Sequence, residues 1–419
     1  MSSGTLERPT HPEWFEWSAG LQAPDYLRAV YRVSAACSGD DAALGMAMEQ
    51  SAATLHIAGY VEPASLAEWT VRVCRVSALD QPQAGVVAPY FLRTEVYAGQ
   101  GARATGQAFE IELAFPLRLL AGKPAQLLNI LVGELPRLGF LTSFQLRAAD
   151  LPAGFGPGPA FGRDGILARF GQASGPLLCR SMRPAVGLDT ATMMRLNEDV
   201  LTGGFHLVKD DELQVFATNA DFREHVKAMI KARDRAIQNG GERKGYLANL
   251  ICEPDELEAR WDIVNELGVD AVLVAPFIQG LGVLSMLARR ARLPILAHNT
   301  FSDLLVRNTC WGIDDSVLCQ WMRVLGADWF VTPGPFAGAG ADAALSQRVL
   351  QAAGGVMGLK DGMRPMMPIA QGGKHPEGLP SYREAMGQND FMLIVASWVD
   401  GHPAGLIAAA RAFREALLT

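Results

Sequence analysis

The chain has 419 residues, of which 49% are hydrophobic and 19% charged, with a net charge of -7 and six cysteines. That length exceeds what one core usually supports, so two domains are expected, and the composition excludes a disordered chain. The acidic balance, with a sequence pI near 5.6 and no basic run, argues against a nucleic-acid partner. No stretch reaches the roughly eighteen apolar residues of a membrane span, and MSSGTLERPTHPEW lacks the apolar centre of a signal peptide, so the expected location is the cytoplasm, with no membrane partner. Cys37, Cys74, Cys179, Cys252, Cys310 and Cys319 contain no C-x-x-C pair and read as buried free thiols.

The first residues, rich in Pro, Ser, Gly and Trp, show no period and read as an arm. From Tyr26 to about Ala149 the pattern is mixed: YLRAVYRV, WTVRVCRVSAL, VAPYFLRTEVYA and AFEIELAFPL have strand character, while DDAALGMAMEQSAA and PAQLLNILVGEL have helical character. This predicts a small α+β domain over residues 1–150. LPAGFGPGPAFGRDG then reads as a linker or long loop.

After it, short apolar runs alternate with longer amphipathic stretches. The runs are Leu177 to Met182, Phe205 to Lys209, Tyr246 to Ile251, Ala271 to Ala275, Leu293 to Ala297, Ala327 to Thr332, Met366 to Ala370 and Phe391 to Ala396, eight in all. Eight strand-helix units over residues 151–419 predict a (β/α)8 TIM barrel, with a doubly wound open sheet as the alternative from pattern alone.

In such barrels the chemistry sits at the C-terminal strand ends. Here those ends carry Arg183, Lys209-Asp210-Asp211-Glu212, Asn249, His298-Asn299, Pro333-Gly334, Gln371-Gly372-Gly373-Lys374-His375 and Ser397-Trp398. Because side chains alternate along a strand, Lys209 and Asp211 share a face, and Glu212 at the turn can join them. Two converging carboxylates suit a hard cation such as Mg2+. A free ammonium would repel that cation, so a metal site requires Lys209 to be neutral or modified. The alternative is a charged, solvated strand terminus, the reading also given to Lys374 and His375.

GGFHLVKDDE at Gly203 to Glu212 resembles the metal-binding segment of the RuBisCO large-chain family, and the resemblance spans most of the chain. Glu49-Gln50-Ser51 through Thr54 resembles the N-terminal segment that completes a neighbouring subunit's active site. RPAVGL at Arg183 to Leu188 resembles the KPKLGL motif of the first barrel strand, YLANL at Tyr246 to Leu250 the third-strand motif, and Gly401-His402-Pro403 a GHP triplet after the eighth strand. VGEL and LANLICEPDE are most similar to the form IV, or RuBisCO-like, branch. The resemblance implies a CO2-derived carbamate on Lys209 that binds Mg2+ with Asp211 and Glu212. It also implies substrate contacts from Glu49, Thr54, Asn249, Gln371, Gly372 and Gly373, and a homodimer whose subunits share the active site.

The departures fall on catalytic positions. The family's proton-moving lysine is Arg183, which cannot serve as a base at working pH. The sixth-strand loop, TPGPFAGAGAD, has no cation to polarise CO2. Losing one such donor costs roughly 3–4 kcal/mol of transition-state stabilisation, so CO2 fixation is not expected. A family arginine is replaced by Asn299 and a glycine pair by Ser397-Trp398, which leaves partners for at most one phosphate, held by Gly372, Gly373, Thr54 and Lys374. The expected activity is Mg2+-dependent enolisation of a sugar-derived keto substrate, with a monophosphate as one option, ending in isomerisation, tautomerisation or decarboxylation. In that scheme carbamylated Lys209 is the base, Arg183 neutralises the enolate oxygen, and His298 carries a proton near neutral pH. The alternative is a non-catalytic regulatory or binding protein on the same scaffold, linked to sulfur metabolism or stress.

Overall fold

The structure is a computed structural model. It describes residues 11–21, 37–51, 66–78 without 68, a broken run from 110 to 149, and 151–418 apart from 153, 309, 333–342 and 355–361. The strands are β1 (Phe144–Leu146), β2 (Leu177–Ser181), β3 (Leu207–Lys209), β4 (Gly245–Asn249), β5 (Ala271–Val274), β6 (Ile295–Ala297), β7 (Trp311–Ile313), β8 (Trp329–Val331), β9 (Met367–Ala370) and β10 (Met392–Val395). Eight of them close into a parallel barrel in the order β10-β2-β3-β4-β5-β6-β8-β9. Each of the eight apolar runs supplies one barrel strand, so the closed barrel holds and the open sheet does not.

Strand alternation sorts the core into two layers. Leu177, Cys179, Leu207, Leu247, Leu273, Leu296, Trp329, Ile369 and Met392 fill the barrel interior. Their neighbours Leu178, Val208, Tyr246, Ala248, Val272, Val274, Ile295 and Phe330 face the surrounding helices. The helix Gly162–Arg169 adds Ile166, Leu167 and the following Phe170 to the interior cluster. Asp328 starts that helix by accepting from the backbone N–H groups of Phe161 (2.8 Å) and Gly162 (2.7 Å). Phe170 lies so close to Gly245, at the start of β4, that a Cβ there would come within 2.3 Å of its ring. The bottom of the barrel is therefore plugged, which leaves the C-terminal strand ends as the open mouth.

The stretch expected as a linker is thus corrected. Leu151, Phe155 and Gly158 are buried, and Gly158 donates its backbone N–H to Val324 O at 3.0 Å. Glycine and proline serve close packing there: a Cβ on Gly156 would strike Val324 O. A second sheet was not expected. In it β1 pairs parallel with β7, Phe144 opposite Trp311, and so ties the segment before the barrel to the connection after β6.

Nearer the N-terminus, the helix Gly39–Ser51 lies where DDAALGMAMEQSAA predicts one. PAQLLNILVGEL forms a short helix, Ala125–Leu128, that continues as a π-turn over Asn129–Gly133. The strand expected in WTVRVCRVSAL is represented, among the described residues, by an isolated bridge from Val73 to Glu16. The described residues of AFEIELAFPL form no strand. YLRAVYRV and VAPYFLRTEVYA lie outside the described residues. All six cysteines are free, but only Cys179 and Cys319 are buried, while Cys37, Cys74 and Cys310 are exposed. The two buried ones are those on barrel elements; periodicity could not place the others. No helix among the described residues is long and apolar enough to cross a membrane.

Candidate active site

The register of β2 against β3 sets Ser181 beside Lys209. Both belong to the inward-facing series, Cys179 then Ser181 on β2 and Leu207 then Lys209 on β3, so they continue the barrel interior into its mouth. Lys209 is 2% exposed, and its Nζ donates to Glu212 Oε2 at 3.2 Å and to Asp210 O at 3.2 Å. Asp211 Oδ2 accepts from Ser181 Oγ at 3.1 Å and from Arg183 Nε at 3.1 Å, while its Oδ1 accepts from Leu213 N–H. Arg183 also reaches within 3.9 Å of Glu212 Oε1. His298, at the end of β6, places Nε2 3.3 Å from Glu212 Oε2. Five of the side chains singled out in sequence thus converge: Arg183, Lys209, Asp211, Glu212 and His298.

The intervening carboxylate, Asp210, points the other way, as alternation requires. It accepts from Tyr246 OH at 2.6 Å and Asn249 N–H at 3.1 Å, and it meets His225 Nε2 at 2.9 Å on the neighbouring helix. This network anchors the strand end instead of serving the mouth. Burial, reinforced by the charge of Asp210, pushes the Tyr246 hydroxyl well above its ordinary value. Asn249 has an anchoring role too. Its side-chain amide donates to Asp211 O (3.0 Å) and Gln214 O (3.3 Å), and its oxygen accepts from Ile251 N–H (2.8 Å). It holds the chain that carries Asp211.

Burial alone would raise the Glu212 carboxyl, but the Lys209 charge, with His298 and Arg183 behind it, holds it well below the usual carboxylate range. Burial pushes His298 down to about 4 against the opposing pull of Glu212. The ring is therefore neutral at pH 7, which corrects the expectation of a group titrating near neutrality. Its Nδ1 lies 2.6 Å from Thr300 Oγ1 and 3.2 Å from Thr300 N–H, and its Nε2 faces Glu212.

A stability effect follows from that shift. Between the ordinary value of 6.5 and about 4, the unfolded chain binds a proton on this ring that the folded protein refuses, so stability falls as pH drops through that window. His206, held near 3 chiefly by burial, acts in the same direction. Melting temperature should fall between pH 7 and 5, and a His298→Gln variant should show a shallower decline. Parallel curves for the two proteins would contradict the buried neutral ring.

On the other side of the mouth, Gly372 and Gly373 follow β9 with φ of 76° and 56°, a left-handed pair in which glycine is needed for conformation, since a Cβ at either would meet nothing within 4 Å. Gln371 beside them is half-buried. Lys374 is not the surface charge expected. It is 8% exposed, with Nζ 4.9 Å above the Tyr382 ring, and burial lowers its pKa. His375 stays near the surface, against Glu377. Trp398 turns into the helical layer against Phe413 and His402. The Glu49 side chain, Thr54 and residues 333–342 of the loop after β8 lie outside the described residues.

Sequence reasoning missed Ser181 and the Arg180–Asp400 pair. Ser181 was accessible from the same period-two phase that marks Cys179. The pair was not, because 220 residues separate its members.

Among the described residues no group of three or more His, Cys, Asp or Glu side chains forms a metal cluster. Asp211 and Glu212 would supply two oxygen ligands to such an ion, with Lys209 beside Glu212. Lysine as an amine cannot add a third, whereas a carbamate would complete a hard-oxygen set suited to Mg2+. The residues fit the ion on that condition.

The family described as ribulose bisphosphate carboxylase large chain, catalytic domain, matches residues 164–419. A 2,3-diketo-5-methylthiopentyl-1-phosphate enolase of Geobacillus thermodenitrificans is 29% identical over 313 residues, 73% of this chain and 74% of that one. The crystal structure of a rubisco-like protein from Alicyclobacillus acidocaldarius superposes with a TM-score of 0.66 at 29% identity, over 73% of this chain and 76% of the other. A dimeric archaeal RuBisCO from Hyperthermus butylicus superposes with a TM-score of 0.65 at 25% identity, over 92% and 88% of the two chains. The chain belongs to the RuBisCO large-chain family, and relatives of the RuBisCO-like, form IV type stand among those it resembles.

Proposed function

We propose that this protein is a non-carboxylating enzyme that enolises a sugar-derived keto substrate carrying at most one phosphate, with Mg2+ bound at Asp211, Glu212 and a carbamate on Lys209. The observation that carries this reading is the convergence of Lys209, Glu212, Asp211, Arg183 and His298 within hydrogen-bonding reach at the barrel mouth. The ion supplies the positive charge that eases removal of a proton next to a carbonyl.

The chain's own residues divide the remaining work. Lys209 would hold the carbamate, which would supply the base for the carbon-bound proton. Arg183, 21% exposed at its side chain, faces the mouth and balances negative charge that develops on the substrate oxygen. Neutral His298 offers an N–H to a substrate oxygen, a role in which an uncharged ring is suitable. Gly372 and Gly373, with Lys374 behind them, receive a single phosphate, and Gln371 reads a hydroxyl or carboxylate. Asn249 acts by fixing the Asp211 backbone. Glu49 and Thr54 enter from a partner subunit, as the family resemblance implies, so the working unit is a homodimer.

Carboxylation is disfavoured by the sequence of the loop after β8, which carries no cation. The relatives named as diketo phosphate enolases make a phosphorylated diketone a natural first compound to test, ahead of isomerisation and decarboxylation substrates. The test is solvent deuterium exchange. Incubated in D2O with Mg2+ and bicarbonate, the protein is expected to exchange the acidic carbon-bound proton of such keto sugar phosphates, read by NMR. No exchange across diketo and keto acid sugar phosphates would favour a regulatory or binding protein on this scaffold.

A further inference from the structure

We propose that Arg183 is a built-in counter-cation that competes with the divalent ion for Asp211 Oδ2, so that metal binding at that oxygen displaces it. The proposal rests on the reading of Asp211, Glu212 and Lys209 as a metal site. Two cations face two carboxylates here: Arg183 Nε lies 3.1 Å from Asp211 Oδ2, and Lys209 Nζ lies 3.2 Å from Glu212 Oε2. Arg183 also approaches the other carboxylate, 3.9 Å from Glu212 Oε1. Asp211 is 1% exposed. Of its two oxygens, Oδ1 is taken by the Leu213 N–H and Oδ2 by Ser181 and Arg183. A metal ion that binds through Oδ2 would therefore meet an oxygen that already has a charged partner, whereas Oδ1 carries only a backbone N–H.

Arg183 is built to give way. Its main chain is pinned, because Arg180 Nη2 donates to the Arg183 carbonyl at 2.8 Å and Arg180 is itself held by Asp400. Its side chain, by contrast, is 21% exposed at the mouth. A fixed backbone with a partly solvated guanidinium allows the head group to leave Asp211 without moving β2. If the ion displaces the guanidinium, wild type gives up its charge-assisted hydrogen bond to Asp211 on binding metal and Arg183→Gln does not. The difference is on the order of tenfold in metal affinity.

The experiment is calorimetric titration of the full-length protein with Mg2+ at one saturating bicarbonate concentration, comparing wild type, Arg183→Gln and Arg183→Lys. Arg183→Gln should bind Mg2+ about tenfold more tightly, while Arg183→Lys, which keeps a competing charge, should stay close to wild type. Thermal melting in chelator should show Arg183→Gln less stable than wild type, with a larger rise on adding Mg2+. Equal affinities for wild type and Arg183→Gln, or weaker binding by Arg183→Gln, would overturn the competition. If neither wild type nor either variant binds Mg2+, the metal reading itself fails and takes this inference with it.

Discussion

A Lys209→Met variant is expected to lose bicarbonate-dependent Mg2+ binding altogether, while wild type binds the ion more tightly when bicarbonate is supplied. The physical reason is the ligand count. Asp211 and Glu212 are two carboxylates, and among the described residues no third acidic, cysteine or histidine ligand completes a cluster. Lys209 is 2% exposed and within 3.2 Å of Glu212, so the group that a carbamate would turn from a repelling cation into an oxygen donor lies beside that carboxylate. Methionine keeps the length and removes the amine, so a carbamate cannot form. Deuterium exchange should vanish with metal binding. Calorimetry with and without bicarbonate checks the prediction; wild-type binding indifferent to bicarbonate, or undiminished binding by the variant, would show that the site does not use a carbamate.

The largest expected loss of stability lies a layer deeper. Arg180 and Asp400 have fully buried side chains, with Nη2 to Oδ1 at 2.8 Å and Nε to Oδ1 at 2.9 Å. They bind β2 to the turn of helix Ser397–Asp400 that follows β10, and so close the barrel at its first and last strands. Burial raises the Asp400 pKa, and the Arg180 charge offsets part of that. Two atoms of the pair, Arg180 Nη1 and Asp400 Oδ2, have no hydrogen-bond partner among the described residues. An Asp400→Leu change strands a buried guanidinium and should cost about 3–5 kcal/mol. The double variant with Arg180→Met should recover most of the loss, because a buried ion pair exchanged whole for apolar groups is often neutral. Urea unfolding of the single and double variants measures both; a loss below about 1 kcal/mol in the single variant would mean that water reaches the pair.

The proposed mechanism needs Arg180 to do more than stabilise. By fixing the Arg183 carbonyl it sets where the guanidinium starts, and therefore which carboxylate it covers. The barrel mouth is thus organised from two sides. Asp210, with Tyr246 and His225, secures the strand end that carries Lys209 and Asp211 from the helical layer, and Arg180 with Asp400 secures the neighbouring strand.

What the sequence determined by itself is whatever depends on local period. Eight apolar runs marked eight strands because each inward face must be apolar, and the same two-residue period put Lys209 and Asp211 on the mouth side and Asp210 on the other. The family resemblance pointed to the lysine and the two acids, where the bare pattern left a charged strand terminus open. The tertiary structure decided everything that depends on partners distant in the chain. It packed a glycine- and proline-rich stretch against Val324 and made the helix after it a plug, because the open barrel bottom offered Phe170 a place to bury. It gave Asn249 an anchoring task and drew Lys374 over the Tyr382 ring. It made His298 neutral, because burial outweighs the pull of one carboxylate, and it set Arg183 on Asp211. Burial and charge balance are sums over neighbours, and the neighbours of a barrel mouth come from eight strand ends that no local pattern brings together.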